Sequence, residues 1–485
     1  MVSVRNFVSR LGSSLESTLN DQTIRIAVTG LSRAGKTVFL TSLLTNLLAM
    51  KAGRQTLPAF AARLDQGGPG RLRNIRLLPA GAGTVPRFDL MAKLTDLAGE
   101  RPHWPARTED LAAVELELDI KPAAGALNGL RAVAGTPRLT LMFLDYPGEW
   151  LLDLPLLGKS YAVWSAETLA RLRQAPRAGI AAPFLAFLAA INPDRPADDA
   201  LLLRGHRLYR EVLERCRGEL GLRYLQPGRF LCPGPRSEAP FFWFFPIDNV
   251  PANPAPGTAG ELLRERFETY KADMRGGFFN TYFRAFHRQI VLVDVLGALH
   301  AGKAAYEDTE HAIADIAASL AETGLWFGGA LPGIGTVSRR LGAGSGVERV
   351  AFVATKADHV PALQRDNLQA LLRDMTHLTR RHGAGLDHRM SFHAAAGIVS
   401  TSDGWAERPG GLREPVVWGR ELGKAERRPY HVGAVPITRP PEGFWSGRYF
   451  ELPVFTPPPI DPTGAGGIPH LGIDVVLADL IGDRL

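Results

Sequence analysis

The stretch "IRIAVTGLSRAGKTVFLTSLLTNLL", residues 24–48, indicates the fold class of this chain. An apolar run breaks at a glycine-rich turn and continues as a segment with helical periodicity. The turn, Gly30 to Thr37, fits the pattern G-x-x-x-x-G-K-[ST], which requires a strand before it and a helix after it. We therefore predict a strand, a phosphate-binding turn and a helix here, and with them an α/β protein.

The residue types of this turn suit a phosphate group. Gly30 and Gly35 let the backbone curl around an anion, so that successive amides and the positive end of the helix dipole converge on phosphate oxygens. Lys36 would neutralise charge on the β- and γ-phosphates, and Thr37 would give its hydroxyl to Mg²⁺, which takes few protein ligands besides the phosphates. The alternative is a glycine turn that only joins a strand to a helix.

Length and composition describe an ordinary globular chain. Its 485 residues, 45% of them hydrophobic, suffice for two or three domains. The two cysteines, Cys216 and Cys232, are too few for a disulfide framework, which favours a reducing, cytoplasmic location. A net charge of +7 is typical of proteins that bind nucleic acid, yet the arginines form no basic stripe, so no direct nucleic-acid contact is predicted.

No segment is predicted to span a membrane. The apolar run Ile290–Leu299 contains Asp294 and is shorter than the ~20 residues that a helical span needs. Residues 1–21 lack the apolar centre of a signal peptide and instead show amphipathic helical spacing. Such a helix either packs on its own domain or makes peripheral contact with a membrane or a membrane protein.

A second motif supplies an acidic residue where a nucleotide-bound Mg²⁺ needs one. The apolar run Leu139–Leu144 ends in Asp145, and Asp145 to Gly148 reads D-x-x-G. Asp145 would hold Mg²⁺ through water, and the amide of Gly148 would donate to the γ-phosphate. An aspartate before a Pro-Gly turn is also common in ordinary loops. This motif therefore indicates a Mg²⁺ site only because a phosphate-binding turn precedes it in the sequence.

A third motif indicates which base is bound. The apolar run Val350–Ala354 leads into Thr355-Lys-Ala-Asp358, a [NT]-K-x-D at the end of a strand. Guanine offers two donors, N1–H and the 2-amino group, that the carboxylate of Asp358 can accept together, whereas adenine offers no such pair. Lys356 would lay its alkyl chain along the base. The alternative is a solvated helix cap.

The last expected element is a strand followed by amides that bind the guanine carbonyl. The segment Arg389–Gly397 alternates and ends in small residues, so the amides of Ala394 and Ala395 are the candidates. His393 in this segment is interpreted as a core histidine with satisfied hydrogen bonds rather than as a ligand.

A switch region is predicted ahead of the second strand of the sheet. Thr108 would bring its hydroxyl to Mg²⁺, and its alternative role is a helix N-cap. Arg107 before it is a candidate arginine finger acting in cis, with a solvated surface residue as the alternative.

In this order the motifs resemble those of the TRAFAC-like class of P-loop GTPases. The surrounding sequence is similar to the YcjX-type family of bacterial stress-associated GTPases over nearly the whole chain. The matching segments are "TGLSRAGKTVFLTSLL" (29–44), "LDYPGEWLLDLPLL" (144–157), "RQIVLVDVLGALHAG" (288–302), "ATKADHV" (354–360) and "YHVGAVP" (430–436). The resemblance implies a cytosolic switch that binds GTP or GDP with Mg²⁺, has a mostly helical insertion and acts on an unknown protein effector.

One position departs from the pattern of small Ras-like GTPases. Where those proteins place a water-orienting glutamine directly after D-x-x-G, this chain has Glu149. A carboxylate is repelled by the γ-phosphate, so we expect slow hydrolysis or another water-positioning group, and the alternative is a structural role for Glu149. The catalytic candidates are therefore Arg107, Gly148 and Glu149. A GTP-binding interaction module with negligible hydrolysis stays open, and a P-loop ATPase is disfavoured by Asp358.

Apolar strand-like runs recur near residues 23–29, 113–120, 138–145, 288–296, 348–355 and 390–395. They predict a doubly wound α/β sheet, the G domain of a P-loop NTPase, and the alternation of Glu115–Ile120 predicts an edge strand. Helical periodicity between about 150 and 285 predicts a mainly helical inserted subdomain. The predicted divisions are an N-terminal helix (1–21), a first G-domain part (22–150), the insertion (151–285) and a second G-domain part with a C-terminal extension (286–485).

The predicted nucleotide-binding residues are Gly30, Ser32, Arg33, Ala34, Gly35, Lys36, Thr37, Val38, Lys356, Asp358, Ala394 and Ala395. The predicted Mg²⁺ ligands are Thr37, Thr108 and Asp145.

Overall fold

The structure, a computed structural model, describes most of the chain. The described residues are 21–79, 85–99, 102–105, 111–121, 138–234, 238–279, 282–326, 347–378, 389–407, 411–447 and 452–485. They fall into two compact units. The first comprises the described residues within Met1–Pro147, Ala285–His300 and Thr323–Leu485, and the second those within Gly148–Arg284 and Ala301–Glu322.

The first unit is built on a mostly parallel sheet. Its strands are β1 (Asp21–Gly30), β2 (Leu72–Leu77), β3 (Ala112–Ile120), β4 (Arg138–Asp145), β5 (Arg288–Val293), β6 (Arg349–Ala354) and β7 (Met390–Ala394). Among the described residues these seven strands are ordered β2-β3-β4-β1-β5-β6-β7. In this order every pair from β4 to β7 is parallel, while β3 runs antiparallel to both β2 and β4.

The first unit also contains helices and a second sheet. The helices are α1 (Lys36–Lys51), α2 (Pro58–Asp65), α3 (Leu90–Ala98), α8 (Val295–His300), α10 (Arg365–Met375) and α11 (Ile473–Ile481). The smaller, antiparallel sheet has the order β10-β9-β8, made of β8 (Thr401–Glu407), β9 (Arg413–Arg420) and β10 (Arg427–Tyr430).

The central strands form because their side chains are apolar on both faces. Ile26 and Val28 of β1 and the apolar residues Ile290–Val293 of β5 are buried, as expected for the inner parallel strands of a sheet. The register sets Val28 opposite Asp145 and Gly30 opposite Leu292. The carboxyl ends of β1, β4 and β5 therefore meet at one edge of the sheet.

The structure confirms the predicted strands and corrects one of them. All six apolar runs are strands of the large sheet. However, β3 is not an edge strand, because β2 pairs with its other side. The sequence did not indicate β2, in which Ile75 is the one fully buried residue of the six. Residues 1–20 of the predicted N-terminal helix lie outside the described residues, and Asp21 belongs to β1.

The second unit contains helices and 3₁₀ segments. Its helices are α4 (Tyr161–Leu172), α5 (Ala178–Leu188), α6 (Asp199–Glu219), α7 (Ala259–Asp273) and most of α9 (Lys303–Trp326). Aromatic side chains fill its interior: the ring centroids of Trp164 and Phe267 lie 5.2 Å apart, and that of Phe244 lies 5.5 Å from that of Trp164. Beyond the predicted range 151–285, this unit includes Gly148, Glu149 and Trp150 at one end and residues 301–322 farther along the chain.

The 3₁₀ segment Gly148–Asp153, which opens the second unit, is buried throughout. The carboxylate of Asp153 accepts hydrogen bonds from the amide of Gly228 at 2.7 Å, the amide of Arg229 at 3.1 Å and the hydroxyl of Tyr270 at 2.6 Å. Burial raises the pKa of Asp153 to about 6, although these three donors favour its charged form. The segment is therefore fixed inside the unit by a buried polar network.

No helix among the described residues is long and apolar enough to cross a membrane.

Replacing Gly228 tests the close packing of this segment. A Cβ at residue 228 would lie 1.7 Å from the carbonyl oxygen of Glu149, so the backbone must shift. We expect G228A to lower the free energy of unfolding by about 3 kcal/mol. The control is G218A in α6, where a Cβ meets nothing within 4 Å and the change should be neutral or slightly stabilising. Denaturant unfolding measures the stability of both variants. A G228A protein that is as stable as G218A would contradict the packing described.

Candidate nucleotide-binding site

The phosphate turn uses its two glycines for different reasons. Gly30 ends β1, and a Cβ there would lie 2.8 Å from both Cβ and the carbonyl oxygen of Leu292 on β5. A Cβ at Gly35 would meet nothing within 4 Å, but its φ of 75° is left-handed and favours glycine. The first glycine therefore permits close strand packing, and the second turns the backbone into α1.

The amides in the first turn of α1 have no side-chain cap. Gly35 is the N-cap residue and has no side chain to bind the first amides, and the turn holds no acidic residue. Amides at a helix start that lack a side-chain acceptor favour a bound anion.

The other predicted residues of the turn differ in exposure. Ser32 and Ala34 are buried, whereas Arg33 is exposed and has a φ of 69°. Val38 is half-buried in the first turn of α1. The exposed side chain of Arg33 therefore lies at the surface of the turn, while its neighbours form part of the interior.

Lys36 contacts the D-x-x-G motif directly. Its Nζ lies 2.7 Å from Oδ1 of Asp145 and donates to the carbonyl oxygen of Tyr146 at 2.9 Å. Asp145 is fully buried, and Thr29 donates from its hydroxyl to the same Tyr146 carbonyl at 3.2 Å. The lysine and the aspartate of two motifs that are far apart in the sequence thus share one site.

The oxygen ligands present suit Mg²⁺. The buried carboxylate of Asp145 and the hydroxyl of the buried Thr37 side chain are hard oxygen donors. Among the residues that the structure describes there is no group of three or more His, Cys, Asp or Glu side chains that could hold a metal by itself. This set fits an ion that takes most of its ligands from phosphate and water.

Of the other predicted catalytic and switch residues, the structure describes only some. Gly148 and Glu149 begin the second unit, where both are buried. Arg107 and Thr108 lie outside the described residues, so their predicted roles remain predictions.

The T-K-A-D motif follows β6, where its aspartate is held in place. Asp358 is 2% exposed, and its Oδ2 accepts from both the amide and the hydroxyl of Ser400 at 2.8 Å. Its Oδ1 lies 3.9 Å from Nε2 of His359, which is too far for a hydrogen bond. Burial lowers the pKa of His359, so this histidine favours its neutral form.

The segment after β7 lies beside the T-K-A-D motif. Ala394, the last residue of β7, is half-buried and stands opposite Ala354 of β6. The amide of Ala395 donates to the Ala354 carbonyl at 2.8 Å, and its carbonyl accepts from the amide of Ala357. The Ala395 amide therefore bonds within the sheet, and its role at the guanine carbonyl stays a prediction.

The same segment also packs on the helix of the phosphate turn. A Cβ at Gly397 would lie 2.9 Å from Cα of Phe39 in α1. Glycine at this position therefore lets the turn after β7 approach the start of α1 closely.

His393 has hydrogen-bond partners, as the sequence interpretation expected. Its Nε2 lies 3.1 Å from both the Ser391 hydroxyl and Oδ2 of Asp479. Because both partners meet the same ring nitrogen, this group does not have the geometry of a catalytic triad, in which they bind opposite nitrogens.

Three residues near the motifs were not predicted as site residues. Ser400 and Gly397 have no motif of their own and are brought to the site by the turn after β7. Asp294, which contacts Lys356, had a detectable signal, because it is a carboxylate directly after a strongly apolar strand.

The sheet, the glycine turn after β1 and the buried aspartate after β4 together define an α/β protein of the P-loop class. The chain belongs to the YcjX-like family (DUF463), whose profile matches residues 24–485. It is 32% identical to the protein named Ras-like GTPase YcjX from Escherichia coli K12, over 99% of this chain and 100% of that protein. It is 31% identical to the protein of the same name from Shewanella oneidensis MR-1, over 100% of this chain and 99% of that protein. The family predicted from the motifs is confirmed.

A double-mutant cycle tests the contact between Lys36 and Asp145. K36A removes the cation that faces a buried carboxylate, so we expect a loss of about 3 kcal/mol in the free energy of unfolding. Adding D145N removes the uncompensated charge and should recover at least about 1 kcal/mol. The control K51A changes an exposed lysine of the same helix and should have little effect. Strictly additive losses in denaturant unfolding would contradict the pairing.

Proposed function

We propose that this protein is a Mg²⁺-dependent guanine-nucleotide-binding protein that hydrolyses GTP slowly and acts as a nucleotide-dependent switch. One observation carries the proposal: the phosphate turn with Lys36 and Asp145, and the buried Asp358, follow parallel strands of one sheet on the same edge. Ligands of such sheets bind at the carboxyl ends of the strands. The names of the relatives, Ras-like GTPase, agree with it.

The predicted residues form two groups, one that would bind the phosphates with Mg²⁺ and one that would bind the guanine base. Lys36 and the amides at the start of α1 would bind phosphate oxygens, and Thr37 and Asp145 would hold Mg²⁺. Asp358 would accept the two donors of guanine, and Lys356 would lie along the base. When bound, Mg²⁺ would offset the charge of the phosphates.

Slow hydrolysis is proposed because of Glu149. A buried carboxylate in place of glutamine cannot donate to a γ-phosphate oxygen. The same residue supports the second candidate, a GTP-binding interaction module with negligible hydrolysis. A P-loop ATPase is the least favoured, since Asp358 would lack donors from adenine.

The biological setting belongs to the same proposal. A cytoplasmic location, a stress-related role and an unidentified protein effector follow from the family resemblance. Contact with a membrane or membrane protein rests on residues 1–21, of which the structure describes only Asp21.

Nucleotide selectivity tests the base assignment. We expect GDP to bind at least about 100-fold more tightly than ADP, because adenine offers no pair of donors to the buried carboxylate of Asp358. D358N should weaken GDP binding and improve binding of xanthosine diphosphate, whose C2 carbonyl can accept from the new amide. D248N, at an exposed aspartate of the second unit, is the control. Titration calorimetry that finds equal GDP and ADP affinities for the wild type would refute guanine recognition.

Single-turnover hydrolysis tests the catalytic candidates. If Arg107 acts as a finger in cis, R107A should slow GTP hydrolysis about 10²–10⁴-fold, with GDP affinity unchanged because the arginine acts on transition-state charge. E149Q should be faster than wild type if the carboxylate hinders the reaction and slower if it orients water. R54A, at an exposed arginine, is the control. Unchanged rates in R107A and E149Q would remove both residues from the reaction.

A further inference from the structure

A carboxylate outside the recognised motifs contacts the lysine of T-K-A-D. Asp294 is the first residue after β5, and its Oδ2 accepts from Nζ of Lys356 at 2.5 Å. The side chain of Asp294 is 9% exposed and that of Lys356 is 31% exposed. The ion pair is therefore partly shielded from water, where such pairs are stronger than at a fully exposed surface.

The register of the sheet builds this pair. β5 and β6 are parallel and set Val293 opposite Ala354, so the residues that follow them leave the sheet side by side. The amide of Thr355 donates to the Val293 carbonyl at 3.0 Å, which continues the pairing past the strand end. Lys356 then adopts a φ of 60°, which a residue other than glycine rarely does.

Asp294 is itself fixed by the helix that follows it. Its Oδ1 accepts from the amide of Gly297 in α8 at 2.9 Å. A Cβ at residue 297 would lie 2.4 Å from Oδ2, so glycine leaves the room that the carboxylate occupies. One oxygen of Asp294 is thus bound to the helix while the other binds Lys356.

We propose that Asp294 is a positioning residue for guanine recognition, which holds the ammonium of Lys356 away from Asp358. The inference rests on the proposed guanine-binding function. Lys356 and Asp358 are close in the sequence, and an unrestrained lysine would compete with the two donors of guanine for the carboxylate. Asp294 removes this competition and keeps the alkyl chain of the lysine extended for the base.

The test variant is D294N, which keeps an oxygen for the Gly297 amide but removes the negative charge. We expect its Kd for GDP to rise about tenfold, with ADP binding and the hydrolysis rate of bound GTP unchanged. E167Q is the matched control, because it removes a carboxylate from the 2.6 Å pair with Lys159 in the second unit. It should leave GDP binding unchanged.

K356M breaks the same pair from its more exposed side and keeps an apolar chain for the base. It should weaken GDP binding less than D294N does, because it removes the competing ammonium together with the pair, and the double variant D294N/K356M should be no weaker than K356M alone. Wild-type affinity in D294N, or independent losses that multiply in the double variant, would overturn the positioning role. If the wild type itself does not prefer GDP to ADP, the proposed function fails instead, so the two failures are distinguishable.

Discussion

The contact between the ammonium of Lys36 and the buried carboxylate of Asp145 is the constraint on which the candidate site depends. It requires β1 and β4 to be parallel neighbours in one register, with Val28 opposite Asp145. It also requires β1 to pack closely on β5, which Gly30 permits beside Leu292, and the backbone to turn into α1, which Gly35 permits with its φ of 75°. A one-residue slip of β1 would separate the two charges and leave the buried carboxylate without this cation, at a cost of several kcal/mol.

The same sheet explains which features could be predicted. The central strands are largely buried on both faces, so each contains an apolar run, such as Ile290–Val293 of β5, that can be recognised without knowing its neighbours. β2 was not predicted, because only one of its side chains is fully buried and its position in the sheet depends on pairing with β3. The motifs at the strand ends were predictable because glycine, lysine and aspartate at these spacings rarely occur together outside nucleotide-binding sites.

The partners of those motifs were not predictable, because tertiary structure selects them. Ser400 reaches Asp358 only through the turn after β7, and no local pattern marks it. The hydrogen bond from the amide of Ala395 to the carbonyl of Ala354 likewise depends on the pairing of two distant segments, which no local pattern shows. The segment Gly148–Asp153 also was not predicted. It is a buried 3₁₀ segment held in place by hydrogen bonds to Asp153, and no sequence pattern marks it.

The most direct test is a crystal structure of the full chain with GDP and Mg²⁺. We predict that Nζ of Lys36 lies within hydrogen-bond distance of a β-phosphate oxygen. We also predict that N1 and the 2-amino group of guanine donate to Asp358. A nucleotide bound elsewhere, or a base that makes no hydrogen bond to Asp358, would contradict guanine recognition at this site.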